Sequence, residues 1–199
     1  MTIAVLFADG FEEVEAVTPV DYLRRSGATV LSVSCKESNT VTGSHGVTVL
    51  TDIRVSDLAE AAPDGIVVPG GMPGAANVAA CEAAVTAVAD VHRRGGIVAA
   101  ICAAPAVVLA KTGILRGKRY TCYPGMEQRM PEWCGAEWQS LTAGARKTDE
   151  RCVVDGTLVT AAGPGAAEEF SLQLIRLVAG EAAAEKVRTG GVMRPLCQS

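Results

Sequence analysis

The sequence predicts an α/β protein with a doubly wound, mostly parallel sheet that carries helices on both of its faces. Two observations predict this class. Short apolar runs alternate along the chain with segments whose apolar residues recur at helical spacing, as in successive strand–helix–strand units. The apolar runs are also continuous rather than alternating, which is typical of strands that are covered on both faces.

Five apolar runs are predicted strands, and three amphipathic segments are predicted helices. The strands are residues 3–7, 29–33, 65–68, 97–101 and 158–161, and the helices are residues 12–26, 82–94 and 166–179. Two hairpin-like insertions, at 35–51 and 151–160, interrupt the alternation. Asp155-Gly156 predicts a type I′ turn in the second insertion.

Length and composition restrict the class further. The 199 residues are 49% hydrophobic and 20% charged, as in a globular chain that forms one domain. We expect this domain over residues 1–190, followed by a C-terminal tail at 191–199. The net charge of −4 is spread along the chain, which argues against a dedicated nucleic-acid surface and against an anionic membrane as partner.

Hydropathy and cysteine usage indicate a cytoplasmic protein. The longest strongly apolar run, residues 97–110, is interrupted by Pro105 and is shorter than the roughly 20 residues of a membrane span. The N-terminus has no basic segment before its apolar stretch, so we expect no signal peptide. The seven cysteines are irregularly spaced and include no CxxC pair. We therefore expect reduced cysteines and no metal site.

The most informative strand end is at Cys102, where the run IVAAI stops and a helix is predicted to begin at once. Ligands in open α/β sheets bind at the carboxyl ends of strands. A residue on such a turn is pushed out of the sheet towards the first amides of the next helix. Those amides favour a thiolate, so we interpret Cys102 as a candidate nucleophile with a lowered pKa. The alternative is a structural cysteine at a strand end.

Glu15 is the second candidate. It lies in the first turn of the helix predicted over 12–26, where a carboxylate also simply offsets the helix dipole. It is adjacent to Ala16 on the inward side of the apolar pattern, where it can exchange a proton with a thiol. Pro19 lacks the N–H that the Glu15 carbonyl would accept, which predicts a bend or a restart with Thr18 as N-cap.

The glycine pair Gly70-Gly71 follows the third predicted strand. A glycine pair lets the backbone approach a ligand closely and can aim an N–H into a pocket, with a plain tight turn as the alternative. The chain has two histidines, His45 and His92, and both are predicted at the surface. A Cys–His dyad at Cys102 therefore has little support.

Four stretches resemble the ThiJ/PfpI family, in the branch of the parkinsonism-associated protein deglycase and its bacterial relatives. They are GFEEVEAVTPVDYLRRSG, VVPGGMPGA, GGIVAAICAAPAVVLA and TAAGPGAAEEF, and they extend over nearly the whole chain. The segments AAICAAP and EEVEAV, in this order and spacing, are specific when taken together. The resemblance implies a flavodoxin-like fold of the class I glutamine amidotransferase type and a homodimer.

The resemblance also implies roles for individual residues. Cys102 is the implied nucleophile, and Glu15 is the carboxyl that shares a proton with it. The amides of Gly71 and Ala103 form an implied anion-binding pocket, with Gly70 beside them.

Three further residues are implied as possible accessory residues. Arg25 and His45 match positions that in the family reach a partner subunit's pocket. Tyr123 stands where the family carries an accessory histidine, so a Glu–Cys–His triad is not carried over, although Tyr123 can still donate a hydrogen bond.

The activity implied by the resemblance is that of a glyoxalase or deglycase without metal or organic cofactor. Such an enzyme converts methylglyoxal to lactate or reverses early glycation, so its partner is a small-molecule or glycated-protein substrate. The alternative is a redox-sensing or chaperone protein that protects against oxidative stress, in which Cys102 is oxidised to sulfinic acid. A peptidase is disfavoured because no histidine is predicted near Cys102 to protonate an amide leaving group. A non-catalytic interaction module remains open.

Overall fold

The structure is a computed structural model that describes residues 1–194. Its strands are β1 (Thr2–Phe7), β2 (Thr29–Ser34), β3 (Thr40–Thr42), β4 (Thr48–Leu50), β5 (Ile53–Arg54), β6 (Gly65–Val68), β7 (Ile97–Ile101), β8 (Arg119–Tyr120), β9 (Arg146–Lys147), β10 (Cys152–Asp155) and β11 (Leu158–Ala161). Seven of them form a central sheet in the order β10-β11-β7-β6-β1-β2-β5. Its neighbouring strands are parallel except at β10–β11.

Helices cover the sheet on both faces. The α-helices are α1 (Glu13–Arg25), α2 (Leu58–Ala61), α3 (Gly74–Ala80), α4 (Glu82–Arg93), α5 (Ala110–Thr112), α6 (Met130–Cys134), α7 (Trp138–Leu141), α8 (Ala167–Ala179) and α9 (Glu181–Gly190). Tighter 3₁₀ turns occur at Val55–Asp57, Met126–Arg129, Gly135–Glu137 and Pro164–Ala166, and a π-helical turn occurs at Pro105–Leu109.

Strand β1 shows why the apolar runs are continuous. Ile3 and Val5 belong to a buried layer with α1, α8 and α9, whereas Ala4 and Leu6 belong to the layer with α3, α4 and the π-helical turn. All four side chains are fully buried. Successive side chains of a strand point to opposite faces, so a strand covered on both sides is apolar at every position.

The predicted α/β architecture is confirmed. The five predicted strands correspond to β1, β2, β6, β7 and β11, and the three predicted helices correspond to α1, α4 and α8. The second predicted insertion differs, because β10 pairs with β11 as an edge of the central sheet. The turn between them is centred on Gly156-Thr157, and of these two only Gly156 has a positive φ, +66°. The type I′ prediction is therefore wrong, since that turn needs a positive φ at both central residues.

The first predicted insertion forms a separate two-stranded sheet, β3–β4. This hairpin is fastened to the loop before α1 by two backbone hydrogen bonds. The N–H of Gly10 donates to the carbonyl of Thr42 at 2.8 Å, and the N–H of Ser44 donates to the carbonyl of Phe11 at 2.8 Å. The hairpin turn is thereby held at the N-terminus of α1, next to the candidate site.

Helix α1 runs through Pro19 without interruption, so the predicted restart at Thr18 is wrong. Proline costs one backbone hydrogen bond here, but its fixed φ suits a helix and its ring is buried in the core. The helix is instead capped by Glu12, whose carboxylate accepts the N–H of Glu15 at 2.7 Å. This cap fixes the first turn, from which Glu15 projects inward.

Within residues 1–194, no single helix is long and apolar enough to cross a membrane. Helices α3 and α4 reach that length and hydropathy only as a pair, and they are bent by 84°. Of the predicted tail at 191–199, residues 195–199 lie outside the described part of the chain, and Cys197 lies there with them.

Candidate active site

Cys102 follows β7 directly and adopts a strained backbone conformation. Its φ is +62°, in the left-handed region that residues other than glycine rarely occupy. Neighbouring segments hold it from both sides, because its N–H donates to Ala161 at 2.9 Å and its carbonyl accepts the N–H of Tyr123 at 2.8 Å. Strain that is enforced in this way is typical of functional positions. The side chain is half-buried.

The segment after Cys102 is helical, as predicted, but it begins as a π-helical turn at Pro105–Leu109 before α5. The N–H of Ala110 donates to the carbonyl of Pro105 across five residues. Pro105 suits the first position of this turn, where its missing N–H needs no partner. The first amide of the segment, that of Ala103, remains available to the Cys102 sulfur.

Two backbone amides lie at the sulfur of Cys102 and favour its ionisation. They belong to Ala103 and Gly71, which are the residues assigned above to an anion pocket. Gly71 has a φ of +83°, and a Cβ at this position would lie 2.5 Å from the Glu12 backbone nitrogen. Only glycine therefore brings this amide to the sulfur.

Glu15 reaches the same point from α1. Its side chain is fully buried and lies beside the Cys102 thiol, whose ionisation it opposes. Its Oε2 accepts the N–H of Gly70 at 2.9 Å, while its Oε1 has no hydrogen-bond partner among residues 1–194. A Cβ on Gly70 would lie 2.6 Å from both the Cys102 Cβ and Glu15 Oε2. A glycine here therefore lets the thiol and the carboxyl meet.

Burial dominates the protonation of this pair. Burial, together with the charge of nearby Glu12, raises the pKa of Glu15 to about 7. Burial and the Glu15 charge raise the pKa of Cys102 to about 12, against the opposing effect of the two amides. The prediction of a lowered thiol pKa is therefore wrong when Glu15 is ionised. Desolvation and charge repulsion raise the pKa of Cys102 by more than the two amides lower it.

The charges on the two groups are consequently linked. With one carboxyl and one thiol in contact, ionisation of either group opposes ionisation of the other. Near neutral pH the pair of Cys102 and Glu15 carries at most one negative charge. A thiolate then requires that Glu15 holds a proton.

His45 lies at the turn of the β3–β4 hairpin and pairs with Glu13. Its Nδ1 is 2.8 Å from Glu13 Oε2, and its N–H donates to Glu13 Oε1 at 2.7 Å. Burial opposes ionisation of Glu13, but the hydrogen bonds from His45 outweigh it and lower the pKa of Glu13 to about 2. The same pairing raises the pKa of His45.

The other two predicted accessory residues differ in position. The backbone N–H of Tyr123 donates a hydrogen bond to the carbonyl of Cys102. The side chain of Tyr123 is half-exposed. Arg25 lies at the opposite end of α1 from Glu15, about 15 Å away along the helix axis, and forms an ion pair with Asp21 at 2.8 Å. Within one chain, Arg25 is not brought to the sulfur. The residues that are brought together are Cys102, Glu15, Gly70, Gly71 and Ala103.

Within residues 1–194, one group of side chains has metal-ligand chemistry. Glu12, Glu13 and His45 each offer an atom within 4.8 Å of the others. Each carboxylate is already engaged, because Glu12 caps α1 through the N–H of Glu15 and Glu13 binds His45. Helix capping and ion pairing thus account for this cluster without a metal.

A strained cysteine at a strand-to-helix turn, with a buried carboxyl and two amides at its sulfur, defines an α/β protein of the nucleophile-elbow type. Residues 1–177 match the DJ-1/PfpI family, and the chain belongs to that family. The resemblance to the ThiJ/PfpI family is thereby confirmed.

Relatives and solved structures agree with this assignment. The chain is 36% identical to Protein DJ-1 homolog B of Arabidopsis thaliana, over 94% of this chain and 40% of that protein. It is 33% identical to a deglycase of Pyrococcus abyssi, over 89% of this chain and 99% of that protein. It is 30% identical to glutathione-independent glyoxalase DJR-1.2 of Caenorhabditis elegans, over 94% of this chain and 90% of that protein.

The flavodoxin-like fold is confirmed by an oxidized DJ-1 of Toxoplasma gondii. That structure has a TM-score of 0.86 and 32% identity, and the match covers 98% of this chain and 99% of that one. The chain spans less than half the length of the two Arabidopsis DJ-1 homologs that it matches.

Proposed function

We propose that this protein is a cysteine-dependent enzyme of the glyoxalase or deglycase type that acts on reactive dicarbonyls. The observation that carries the proposal is the contact between Cys102 and a buried carboxyl, Glu15, whose pKa is about 7. Such a carboxyl both donates and accepts a proton near neutral pH. The similarity to proteins named deglycase and glyoxalase supports the same activity.

In the first step, the thiolate of Cys102 attacks the aldehyde carbon of methylglyoxal while Glu15 holds the proton. A carbon–sulfur bond forms, and the electron pair of the carbonyl moves to its oxygen. The amides of Gly71 and Ala103 lie at the sulfur, where they stabilise this oxyanion. Glu15 then gives its proton to the oxygen, which leaves a hemithioacetal and an ionised Glu15.

In the second step, Glu15 works as a base. It takes the hydrogen of the former aldehyde carbon as a proton and returns it to the adjacent carbon, while a hydroxyl proton passes from the first oxygen to the second. The product is a lactoyl thioester on Cys102. Water hydrolyses the thioester and releases lactate and the thiol, so the sequence needs no metal or redox cofactor.

The deglycase reaction begins with a glycated substrate and then follows the same steps. The early adduct is a hemiaminal, and its carbon–nitrogen bond breaks as the hydroxyl gives up a proton and the leaving amine takes one, with Glu15 as the relay. This restores the aldehyde, to which the Cys102 thiolate adds, and the two steps above then release lactate. The half-buried sulfur and the half-exposed Tyr123 beside it leave the site open to a side chain presented by another protein.

The test is lactate formation from methylglyoxal by the purified protein. We expect Cys102→Ser to abolish turnover and Glu15→Gln to reduce it by at least about 100-fold, because general acid–base catalysis contributes roughly 10²–10⁴. Cys152→Ser is the matched control, since Cys152 is also half-buried but takes no part in the mechanism. Turnover of wild type at the level of Cys102→Ser would remove the glyoxalase proposal.

A second candidate function, redox sensing at Cys102, is favoured by the same donors. A sulfinic acid at this position would accept hydrogen bonds from Gly71 and Ala103 and from a protonated Glu15. Mild peroxide followed by mass spectrometry should then add two oxygens at Cys102. A sulfur that stays unmodified in the folded protein would rule out this function.

We further propose that the protein is a homodimer that forms through α1 and the β3–β4 hairpin. Large apolar side chains are exposed there: Val14 and Val17 on α1 are 49% and 43% exposed, and Val47 and Leu50 on the hairpin are 51% and 79% exposed. Light scattering should show that Leu50→Asp dissociates the dimer. Val154→Asp, at an exposed apolar residue of β10, is the control and should leave the dimer intact.

We also assign the enzyme to the cytoplasm. The six cysteines within the described residues are free, as expected in a reducing compartment. Recovery of the native protein in a membrane-free, reducing cell fraction tests this assignment, and recovery with secreted proteins would contradict it.

A further inference from the structure

Two loops pack closely together beside the candidate active site. One follows β1 and leads into α1, and the other follows β6 and leads into α3. The N–H of Gly74 donates to the carbonyl of Gly10 at 3.1 Å, and a Cβ on Gly74 would lie 2.5 Å from that carbonyl oxygen. Glycine permits this close backbone approach, which holds the two loops together.

Glu12 lies where the first loop enters α1, and it belongs to a ring of three hydrogen bonds. Its backbone N–H donates to the carbonyl of Gly70 at 3.1 Å, and its Oε2 accepts the N–H of Glu15 at 2.7 Å. The N–H of Gly70 in turn donates to Glu15 Oε2 at 2.9 Å. Each of the three residues is therefore bonded to the other two, and the Glu15 carboxyl is part of the ring.

The ring determines where the Glu15 carboxyl lies. Gly70 holds its Oε2 beside the Cys102 side chain, since a Cβ on Gly70 would be 2.6 Å from both the Cys102 Cβ and Glu15 Oε2. Glu12 holds the other end of the same residue, the backbone N–H of Glu15. A reacting side chain that is fixed at both ends is held in its productive geometry before the substrate binds.

The residue type at this helix cap is informative. The preferred N-cap residues are Ser, Thr, Asp and Asn, which are shorter than glutamate and, apart from Asp, uncharged. A neutral cap satisfies a first-turn amide as well as a charged one does. Capping alone therefore does not require the carboxylate of Glu12, which lies in the same turn as the buried Glu15.

We propose that Glu12 is a positioning residue for the reaction at Cys102, because its carboxylate and its backbone N–H hold the Glu15 carboxyl at Gly70 and beside the thiol. The inference rests on the function proposed above. The charge of Glu12 has a second effect, since a negative charge near a carboxyl opposes its ionisation. Burial and the Glu12 charge together raise the pKa of Glu15 to about 7. Glu12 thus places the carboxyl and also favours the proton on it.

Three further titratable groups face Glu12 and Glu15, namely Glu13 of α1, His45 of the β3–β4 hairpin and Cys102 after β7. Glu12, Glu13 and His45 each place an atom within 4.8 Å of the others. Glu13 and His45 pair with each other at 2.8 Å, so a protonated His45 offsets the charge of Glu13. Burial and the Glu15 charge raise the pKa of Cys102 to about 12. The Glu12 charge therefore acts on Glu15 with little opposition from these groups.

The test compares three substitutions of Glu12 in the full-length protein. Glu12→Asp keeps both a capping oxygen and the charge, Glu12→Gln keeps only the oxygen, and Glu12→Ala keeps neither. Glu82→Ala is the matched control, since Glu82 also lies in the first turn of a helix, α4, but has no part in the ring. Circular dichroism establishes that each variant is folded, and Glu12→Gln with Glu12→Asp suffices if Glu12→Ala does not fold.

The first measurement is the pH midpoint of the Glu15 carboxyl, followed by carboxyl ¹³C NMR and assigned with Glu15→Gln. We expect a midpoint near 7 in the wild type, in Glu12→Asp and in Glu82→Ala. In Glu12→Gln and Glu12→Ala the midpoint should fall towards the ordinary 4.5, because the neighbouring charge is gone. A residue that only caps the helix would leave the midpoint of Glu12→Gln unchanged.

The second measurement is kcat/KM for methylglyoxal at pH 7. Glu12→Gln should lose activity several-fold, because the single negative charge of the thiol–carboxyl pair then resides less on the sulfur. Glu12→Ala also loses the hold on Glu15, and we expect its kcat/KM to fall on the order of 10-fold or more. Glu12→Asp and Glu82→Ala should stay close to the wild type.

Two results would overturn the proposal. One is a Glu15 midpoint that is the same in the wild type, Glu12→Asp and Glu12→Gln. The other is a folded Glu12→Ala protein whose kcat/KM equals that of Glu82→Ala. If the wild type shows no turnover above Cys102→Ser, the proposed function fails, and the Glu15 midpoints alone then decide whether Glu12 acts on that carboxyl.

Discussion

Replacing Glu15 by glutamine removes one buried titrating group and leaves its hydrogen bond in place. The glutamine oxygen can still accept the N–H of Gly70, which Glu15 accepts at 2.9 Å. The substitution should therefore change the pH dependence of stability more than stability itself. The sign of the change in pH dependence follows from the direction in which folding shifts the pKa of Glu15.

Folding raises the pKa of Glu15 from its ordinary 4.5 to about 7. Between these values the folded state binds more protons than the unfolded state, so stability falls as pH rises. Each pKa unit is worth about 1.4 kcal/mol. Between pH 5 and pH 8 the free energy of unfolding of the wild type therefore falls by about 2.5 kcal/mol through this carboxyl. Glu15→Gln lacks the carboxyl and should not show this fall.

The assay is urea denaturation followed by circular dichroism at pH 5 and pH 8. The measured quantity is the difference in unfolding free energy between variant and wild type at pH 8, minus the same difference at pH 5. Contributions from groups that do not interact with Glu15 cancel in this subtraction. Glu132→Gln is the control. The hydrogen bond from Arg129 lowers the pKa of Glu132, so that carboxyl is ionised at both pH values and its loss should leave the slope unchanged.

A Glu15→Gln protein whose stability follows the wild-type pH profile to within about 0.5 kcal/mol would refute this reasoning. It would mean that Glu15 titrates like a solvated carboxyl, and the proton proposed to be shared with Cys102 would lose its basis.

Three further outcomes are expected. Gly70→Ala places a methyl group 2.6 Å from the Cys102 Cβ and so displaces the Cys102 side chain. Because a misplacement of about 1 Å in catalytic geometry can reduce the rate roughly 10²-fold, we expect kcat/KM for methylglyoxal to fall on the order of 100-fold. The circular dichroism spectrum should stay native. In Glu13→Gln, the pKa of His45 followed by NMR should fall back towards 6.5, because its hydrogen bond to Glu13 is what raises it; an unchanged pKa would contradict the pairing. Phe170→Ala empties a fully buried position and should cost about 3–5 kcal/mol in urea denaturation, and a loss below about 1 kcal/mol would be inconsistent with the described core.

The sheet was predictable from the sequence because its strands are covered on both faces. β7, which runs through Ile97–Ile101, is fully buried at every position, and a continuous apolar run is the direct consequence. The helices that pack broadly on the sheet, such as α8, show a wide apolar stripe for the same reason. The short helices between residues 126 and 141 were not predictable, because segments of three to five residues are too brief to show a period.

The position of the candidate nucleophile was also predictable, since the residue that directly follows a buried strand lies in the turn that leaves the sheet. Its protonation was not. The pKa of Cys102 depends on Glu15, which is distant in sequence and reaches the sulfur only through the fold. Local sequence shows the helix amides that favour a thiolate, but burial and the second acid are properties of the assembled structure.

The same limit explains the contacts that sequence reasoning missed. Glu13 and His45 meet only because the β3–β4 hairpin docks on the loop before α1. No spacing rule anticipates pairs of this kind, and a search for them requires coordinates.

The central claim is that Cys102 becomes a thiolate near neutral pH only through the proton held by Glu15. The rate of Cys102 alkylation against pH, measured on the tryptic peptide 95–111, tests this claim most directly. We predict a wild-type midpoint well above the ordinary thiol value of 9.0, because burial and the Glu15 charge both raise the pKa of Cys102. The midpoint should be lower in Glu15→Gln, which lacks that charge. A wild-type midpoint at or below 9.0, or the same midpoint in both proteins, would contradict the account.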